Sequence, residues 1–130
     1  MKHMRVVLDT NGLASALLTP SGNPAKVYKR FLDEELTLVY SEQILVEYED
    51  VLYRLHLQIP IEDADTILKA IRQCGYLVAP NPSTDFMQDE DDRIFYDTAK
   101  FTGAYLVTGN TRHYPNEPFI LSPTQFLENE

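Results

Sequence analysis

Short apolar runs alternate along this chain with longer stretches of helical periodicity, and that alternation constrains the fold more than any other feature. "RVVL" (5–8), "LTLVY" (36–40), "YLV" (76–78), "AYLV" (104–107) and "FIL" (119–121) read as short buried strands. Between them lie amphipathic segments with helix-start and helix-stop residues. Asn23 reads as an N-cap with Pro24 at the first helical position of "PAKVYKRFLDEE". Ser41 caps a helix whose Ile44, Leu45, Tyr48, Val51, Leu52 and Leu55 keep helical spacing. A further helix is expected over Glu62 to Gln73, ended by Gly75, and another from about Asp91 to Thr102. Ser122 and Gln125 form a capping box that opens a C-terminal helix. "DTNG", after the first strand, reads as a turn. Apolar strands separated by such helices need cover on both faces of a parallel sheet. The expected fold is a three-layer α/β/α sandwich around a central, mostly parallel sheet of four to five strands.

With 130 residues, 44% of them hydrophobic, the chain can bury one good core and is expected to be a single domain over 1–130. Residues 1–3, ahead of Met4, read as a cloning remnant or a disordered start. No apolar run is long enough to span a bilayer, and Asp9 ends the first one too early for a secretory signal. Cys74 is the sole cysteine, so no internal disulfide forms and a reducing cytoplasm fits. It reads as a small apolar residue near a helix end, and Tyr28, Phe31 and Leu32 read as core. The net charge is −9, from 20 acids against 11 lysines and arginines. A field of that sign repels phosphate backbones, unless clustered acids hold divalent cations and invert it locally.

Several of the acids stand where such a cluster would form. Ligands of parallel sheets collect beyond the carboxyl ends of the strands. Asp9 follows the first strand, and "TGN" (Thr108 to Asn110) follows the fourth. Turn chemistry is the plain alternative for both Asp9 and Asn110. In "QDEDDRIFYDTA", Asp92 falls on the helical face of Phe95, Tyr96 and Ala99, which points inward, whereas Asp91 and Asp97 read as surface acids. The helix dipole favours an acid near the helix start but does not explain that facing. Asp89 precedes Asp92 by three and joins it if the turn is helical. Glu47 and Glu49 flank the apolar stripe of the second helix at similar angles, and the wheel does not choose between them. Oxygen ligands from Asp9, Glu47 and Asp92, without a His or Cys cluster, suit Mg²⁺ or Mn²⁺ rather than zinc.

"VVLDTNG", "SEQILVEYEDVL", "DEDDRIFYDTA" and "YLVTGNTRHYP", in this order, resemble the PIN-domain nucleases, within them the toxins of toxin–antitoxin pairs related to VapC ribonucleases. The resemblance covers roughly Arg5 to Pro123. It implies a PIN-like fold and a Mg²⁺- or Mn²⁺-dependent endoribonuclease that hydrolyses RNA to 5′-phosphate and 3′-hydroxyl ends. Its catalytic acids would be Asp9, Glu47 and Asp92, with Asp89 as an extra metal ligand and Asn11, Ser41 and Thr108 in support. It further implies an RNA substrate, a cognate antitoxin protein and a homodimer. The fourth acidic position of the family is Asn110 here. An amide can ligate a cation but brings no charge, so cation affinity should fall and a second metal is disfavoured. Arg112 and His113 follow at once, as contacts to phosphate or aids to proton transfer; a structural or exposed turn histidine is the plain alternative. An inactive binding module of the same fold is the rival that Asn110 favours. A phosphoryl-aspartate enzyme built on Asp9 fits less well: Asn11 stands where dehalogenase-like hydrolases carry a second acid, and "TGNTRH" lacks a receiver domain's lysine.

Overall fold

A computed structural model describes residues 4–129 of the chain, so the expectation for residues 1–3 lies outside the described residues. The elements are β1 (Met4–Leu8), α1 (Thr10–Leu18), α2 (Asn23–Leu32), β2 (Leu36–Tyr40), α3 (Glu42–Arg54), α4 (Ile61–Cys74), β3 (Tyr76–Leu77), α5 (Arg93–Thr102), β4 (Tyr105–Val107), β5 (Ile120–Leu121) and α6 (Pro123–Glu128). Single 3₁₀ turns cover Glu90–Asp92 and Thr111–His113. Among the described residues the strands form one five-stranded sheet in the order β3-β2-β1-β4-β5, with every neighbouring pair parallel. No helix of the described residues is long and apolar enough to cross a membrane.

The sheet is the middle of three layers. Successive side chains of a strand point to opposite faces, yet Val6, Val7 and Leu8 of β1 are all fully buried, as are Leu106 and Val107 of β4. Both faces are therefore covered. α1 packs on α2 and α2 on α6, while α3 packs on α4 and α5. The caps expected for α3 and α6 are in place: Ser41 Oγ accepts from Ile44 N–H at 3.2 Å, and Ser122 and Gln125 form the reciprocal capping box. Gly103 ends α5 with φ +70°, a left-handed conformation that suits glycine.

Several local expectations needed correction. "DTNG" is no free turn. Asp9 caps α1, whose first residue is Thr10, and the small residues of "TNGLASALL" bury Leu13, Ala14 and Ala16. α2 starts one residue early, with Gly22 rather than Asn23 at the N-cap. The third strand shrinks to Tyr76–Leu77, exposed at the sheet edge. The helix expected from Asp91 opens as the 3₁₀ turn and becomes α-helical at Arg93. Leu32 is exposed although Phe31 beside it is core, because α2 turns it away from the sheet. Cys74, expected as an apolar residue, is exposed at the last position of α4.

A Cβ at Gly75 would stand 2.5 Å from the Ile71 carbonyl oxygen and 3.0 Å from the Tyr40 ring. Neither can yield without moving α4 or β2. Gly75→Ala is expected to destabilise the fold by about 1–3 kcal/mol, read as a lower midpoint in urea unfolding.

Candidate active site

The chain runs outward from β1 through β2 to β3 and then returns to place β4 on the other side of β1. Strand order reverses between β1 and β4, and the crevice outside their carboxyl ends is where open α/β sheets bind ligands. Asp9 directly follows β1 and Thr108 directly follows β4.

Asp9 is 7% exposed and held at both oxygens. Gly12 N–H donates to Oδ1 at 2.8 Å, and the Thr108 hydroxyl donates to Oδ2 at 2.5 Å. Thr108 Oγ1 in turn accepts from Asn110 N–H at 3.0 Å, so one hydroxyl joins the acid to the loop after β4. A Cβ on Gly12 would lie 2.9 Å from Asp9 Oδ1, which is why the capping position needs glycine. The Tyr48 hydroxyl of α3 donates to the Leu8 carbonyl and pins the end of β1 from the other side. Burial pushes the Asp9 carboxyl above its ordinary range; the bonds from Thr108 and Gly12, and the positive form of His113, oppose that shift.

Asp92 approaches the same place from the start of α5. Burial raises its carboxyl as well, the negative charges of Asp89, Asp9 and Asp91 add to the rise, and His113 opposes it. Its Oδ2 is buried without a hydrogen-bond partner among the described residues, with His113 Nδ1 at 3.8 Å. The Tyr114 hydroxyl is likewise buried and unpartnered. Its burial and the charges of Asp9, Asp92 and Asp89 push that phenol far above its ordinary range. Nothing in the sequence alone marks Tyr114, although it stands directly after His113 in "YLVTGNTRHYP".

The loop before Asp92 is tied down by α5. Arg93 donates from Nη1 to the Ser83 carbonyl and hydroxyl, both at 2.9 Å, from Nη2 to the Asp85 carbonyl at 2.6 Å, and pairs with Glu90 at 2.7 Å. Asp97, expected at the surface, is instead only 6% exposed and accepts from Ser83 N–H at 3.0 Å. Its wheel position faces the loop rather than the solvent, and no local pattern reveals a loop folded back over a helix.

The other expected residues divide. Asp89 caps the 3₁₀ turn, accepting from Asp91 N–H at 3.0 Å, and its charge acts on Asp92. Glu49 pairs with Arg72 of α4 at 3.2 Å. Glu47 is half-buried and has no hydrogen bond or ion pair among the described residues. Ser41 serves as the α3 cap, whereas Asn11, Asn110, Arg112 and His113 are exposed.

The donors fit a hard cation. Asp92 Oδ2 is a buried carboxylate oxygen beside a second raised carboxyl, and among the described residues only the exposed His113, at 3.8 Å, brings positive charge near it. No three His, Cys, Asp or Glu side chains among the described residues converge into a complete cage. Mg²⁺ does not require one, since one or two carboxylates, water and substrate phosphate suffice for it.

Residues 5–112 match the PIN domain family, and the chain belongs to that family. It is 30% identical over 110 residues to MJ1680, an uncharacterised protein of Methanocaldococcus jannaschii, across 82% of this chain and 71% of that one. The fold is similar to that of VapBC2 from Rickettsia felis, solved bound to a DNA fragment from its promoter: TM-score 0.59 and 18% identity, over 92% of this chain and 98% of that one. It is similar also to PAE2754 from Pyrobaculum aerophilum, with TM-score 0.59 and 17% identity, over 98% of this chain and 88% of that one.

A carboxyl raised on folding holds its proton more tightly in the folded protein. The stability it contributes is complete below the unfolded value, 3.8 here, and is lost as pH rises through the folded value. Asp92→Asn is therefore expected to raise the melting temperature near neutral pH, with the gain fading as pH falls toward about 4. Melting curves of both proteins across that range check it.

Proposed function

We propose that this chain is a divalent-cation-dependent endoribonuclease and the toxin component of a toxin–antitoxin pair. The observation that carries the reading is that Asp9 and Asp92 share a field at the sheet's switch point, with Asp92 Oδ2 buried and without a hydrogen-bond partner among the described residues. Membership of the PIN domain family supports a nuclease. The toxin assignment rests on the resemblance carried by the four motifs and on the likeness in fold to VapBC2.

In this reading Asp9 and Asp92 would hold Mg²⁺ or Mn²⁺, with Asp89 and Asn110 as further oxygen donors and Glu47 as the acid that the family resemblance implies. A bound ion of this kind activates water and stabilises negative charge on a phosphate. The chain supplies the geometry. Thr108 and Gly12 fix the Asp9 carboxylate, the Arg93 clamp fixes the loop that carries Asp89, and Tyr48 fixes the strand end. In the same reading His113, 3.8 Å from Asp92, would pass a proton to the departing 3′ oxygen, and Arg112 on the same turn would contact phosphate. The expected products carry 5′-phosphate and 3′-hydroxyl ends. A cognate antitoxin would cover this crevice, and the protein is proposed to act as a homodimer.

The test is incubation with single-stranded RNA in Mn²⁺ and in EDTA. Cleavage should require the ion and fall at least about a hundredfold in Asp9→Asn, the scale on which single catalytic groups act. Metal-independent cleavage to 2′,3′-cyclic phosphate contradicts the mechanism. Asn110→Asp restores a unit charge, worth about 1 kcal/mol at ~4 Å even in water. It is expected to tighten Mn²⁺ binding about fivefold or more in calorimetry. A second reading, an inactive RNA- or protein-binding module, is favoured by the uncharged Asn110 and by the lack of a three-ligand cage among the described residues. Absence of cleavage with intact RNA binding supports it.

A further inference from the structure

Beside the acids opens a second feature, a cavity of about 500 Å³ lined by Asp85, Phe86, Gln88, Tyr96, Lys100, His113 and the 114–117 segment. The volume falls in the range of small-ligand pockets. His113 and Tyr114 line this cavity and also interact with Asp92, so the cavity adjoins the acids.

Its chemistry is unlike that of a phosphate site. Two carboxylates, Asp85 and Glu117, face a single ammonium, Lys100, and the Tyr96 hydroxyl lies between them at 3.0 and 2.7 Å. A phenol donates one proton. The shorter contact takes it to Glu117 Oε2, while Lys100 Nζ, 2.6 Å from Asp85 Oδ2, satisfies the other carboxylate. Each carboxylate thus keeps one oxygen, Asp85 Oδ1 and Glu117 Oε1, without a hydrogen bond from a described residue. The excess negative charge repels an anion and accepts N–H donors. At the rim Phe86 is 83% exposed, an aromatic ring that no other ring covers among the described residues. Gln88 and Asn116 add amides that both donate and accept.

We infer that this cavity is a base-recognition subsite, which takes a guanine stacked on Phe86 with its N1–H and 2-amino group donating to the free carboxylate oxygens. Single-stranded bases are commonly read in this way, by stacking on an aromatic ring and hydrogen bonds to the Watson–Crick edge. Guanine is the base with two adjacent donor groups on that edge. Adenine, cytosine and uracil offer one each. The subsite rests on the nuclease reading for its purpose, since it would select which phosphate reaches Asp9 and Asp92, but its occupancy can be tested without hydrolysis.

The test is NMR titration of the whole protein with guanosine, inosine and adenosine 5′-monophosphates, in which the phosphate is common and only the base edge varies. Guanosine monophosphate should shift the resonances of Phe86 and Glu117 and bind about tenfold more tightly than inosine monophosphate, which lacks the 2-amino group. Phe86→Ala, at an exposed position that the fold does not need, and Glu117→Gln, with its amide fingerprint otherwise unchanged, should each weaken binding about tenfold. Equal shifts from all three nucleotides, or guanosine binding unaltered in Phe86→Ala, overturn the subsite and leave that ring as a protein-docking residue. If wild type cuts RNA while guanosine selectivity is absent, the subsite falls and the nuclease reading stands. Selective guanosine binding by a protein that cuts no RNA keeps the subsite and removes the nuclease.

Discussion

The buried carboxylate of Asp9 holds three separate parts of the chain in one place. Its backbone ends the central strand, its Oδ1 caps α1 through Gly12, and its Oδ2 receives the Thr108 hydroxyl from the end of β4. Burial of an anion is costly unless hydrogen bonds reach it, and here the two bonds come from the segments that follow the two strands at the switch point. The same residue is thus a helix cap, a link between strands and a candidate ligand. The remaining lone pairs of its oxygens leave it able to serve in all three ways.

Around that anchor the structure shows a division of labour. Packing of apolar strands supplies the platform, while polar contacts at the strand ends set the orientation of each acid. Arg93 and Asp97 fold the loop 83–90 back onto α5, which brings Asp89 toward Asp92 and also forms one wall of the neighbouring cavity. Burial raises the carboxyls of both Asp9 and Asp92, and for Asp92 the charges of Asp89, Asp9 and Asp91 add to the rise. The local stability given up there is consistent with a site built to receive positive charge.

Much of the fold was legible in order along the chain. The strands, the Ser41 cap and the Ser122–Gln125 capping box depend on neighbours within a few residues, so periodicity and cap chemistry reveal them. α1 escaped because "DTNG" carries the residues of a turn, and only the bond from Gly12 shows them to be a helix start. Asp97 escaped because its partner, Ser83, lies in a loop whose path no local pattern fixes. Glu47 and Glu49 were inseparable on a helical wheel; Arg72, from a different helix, is what engages Glu49.

The sequence by itself determined the layered α/β scaffold and the nomination of Asp9 and Asp92, since both follow from apolar period, caps and position at strand or helix ends. Only the tertiary structure decided which acids share a field, that Asp92 Oδ2 is left without a hydrogen-bond partner among the described residues, and that Tyr114 and the cavity of Asp85, Phe86 and Glu117 adjoin them. The reason is range. Helix and strand preferences act between residues a few positions apart, whereas desolvation and Coulomb interaction depend on distance in space, and residues 9, 92 and 114 become neighbours only when the sheet has closed.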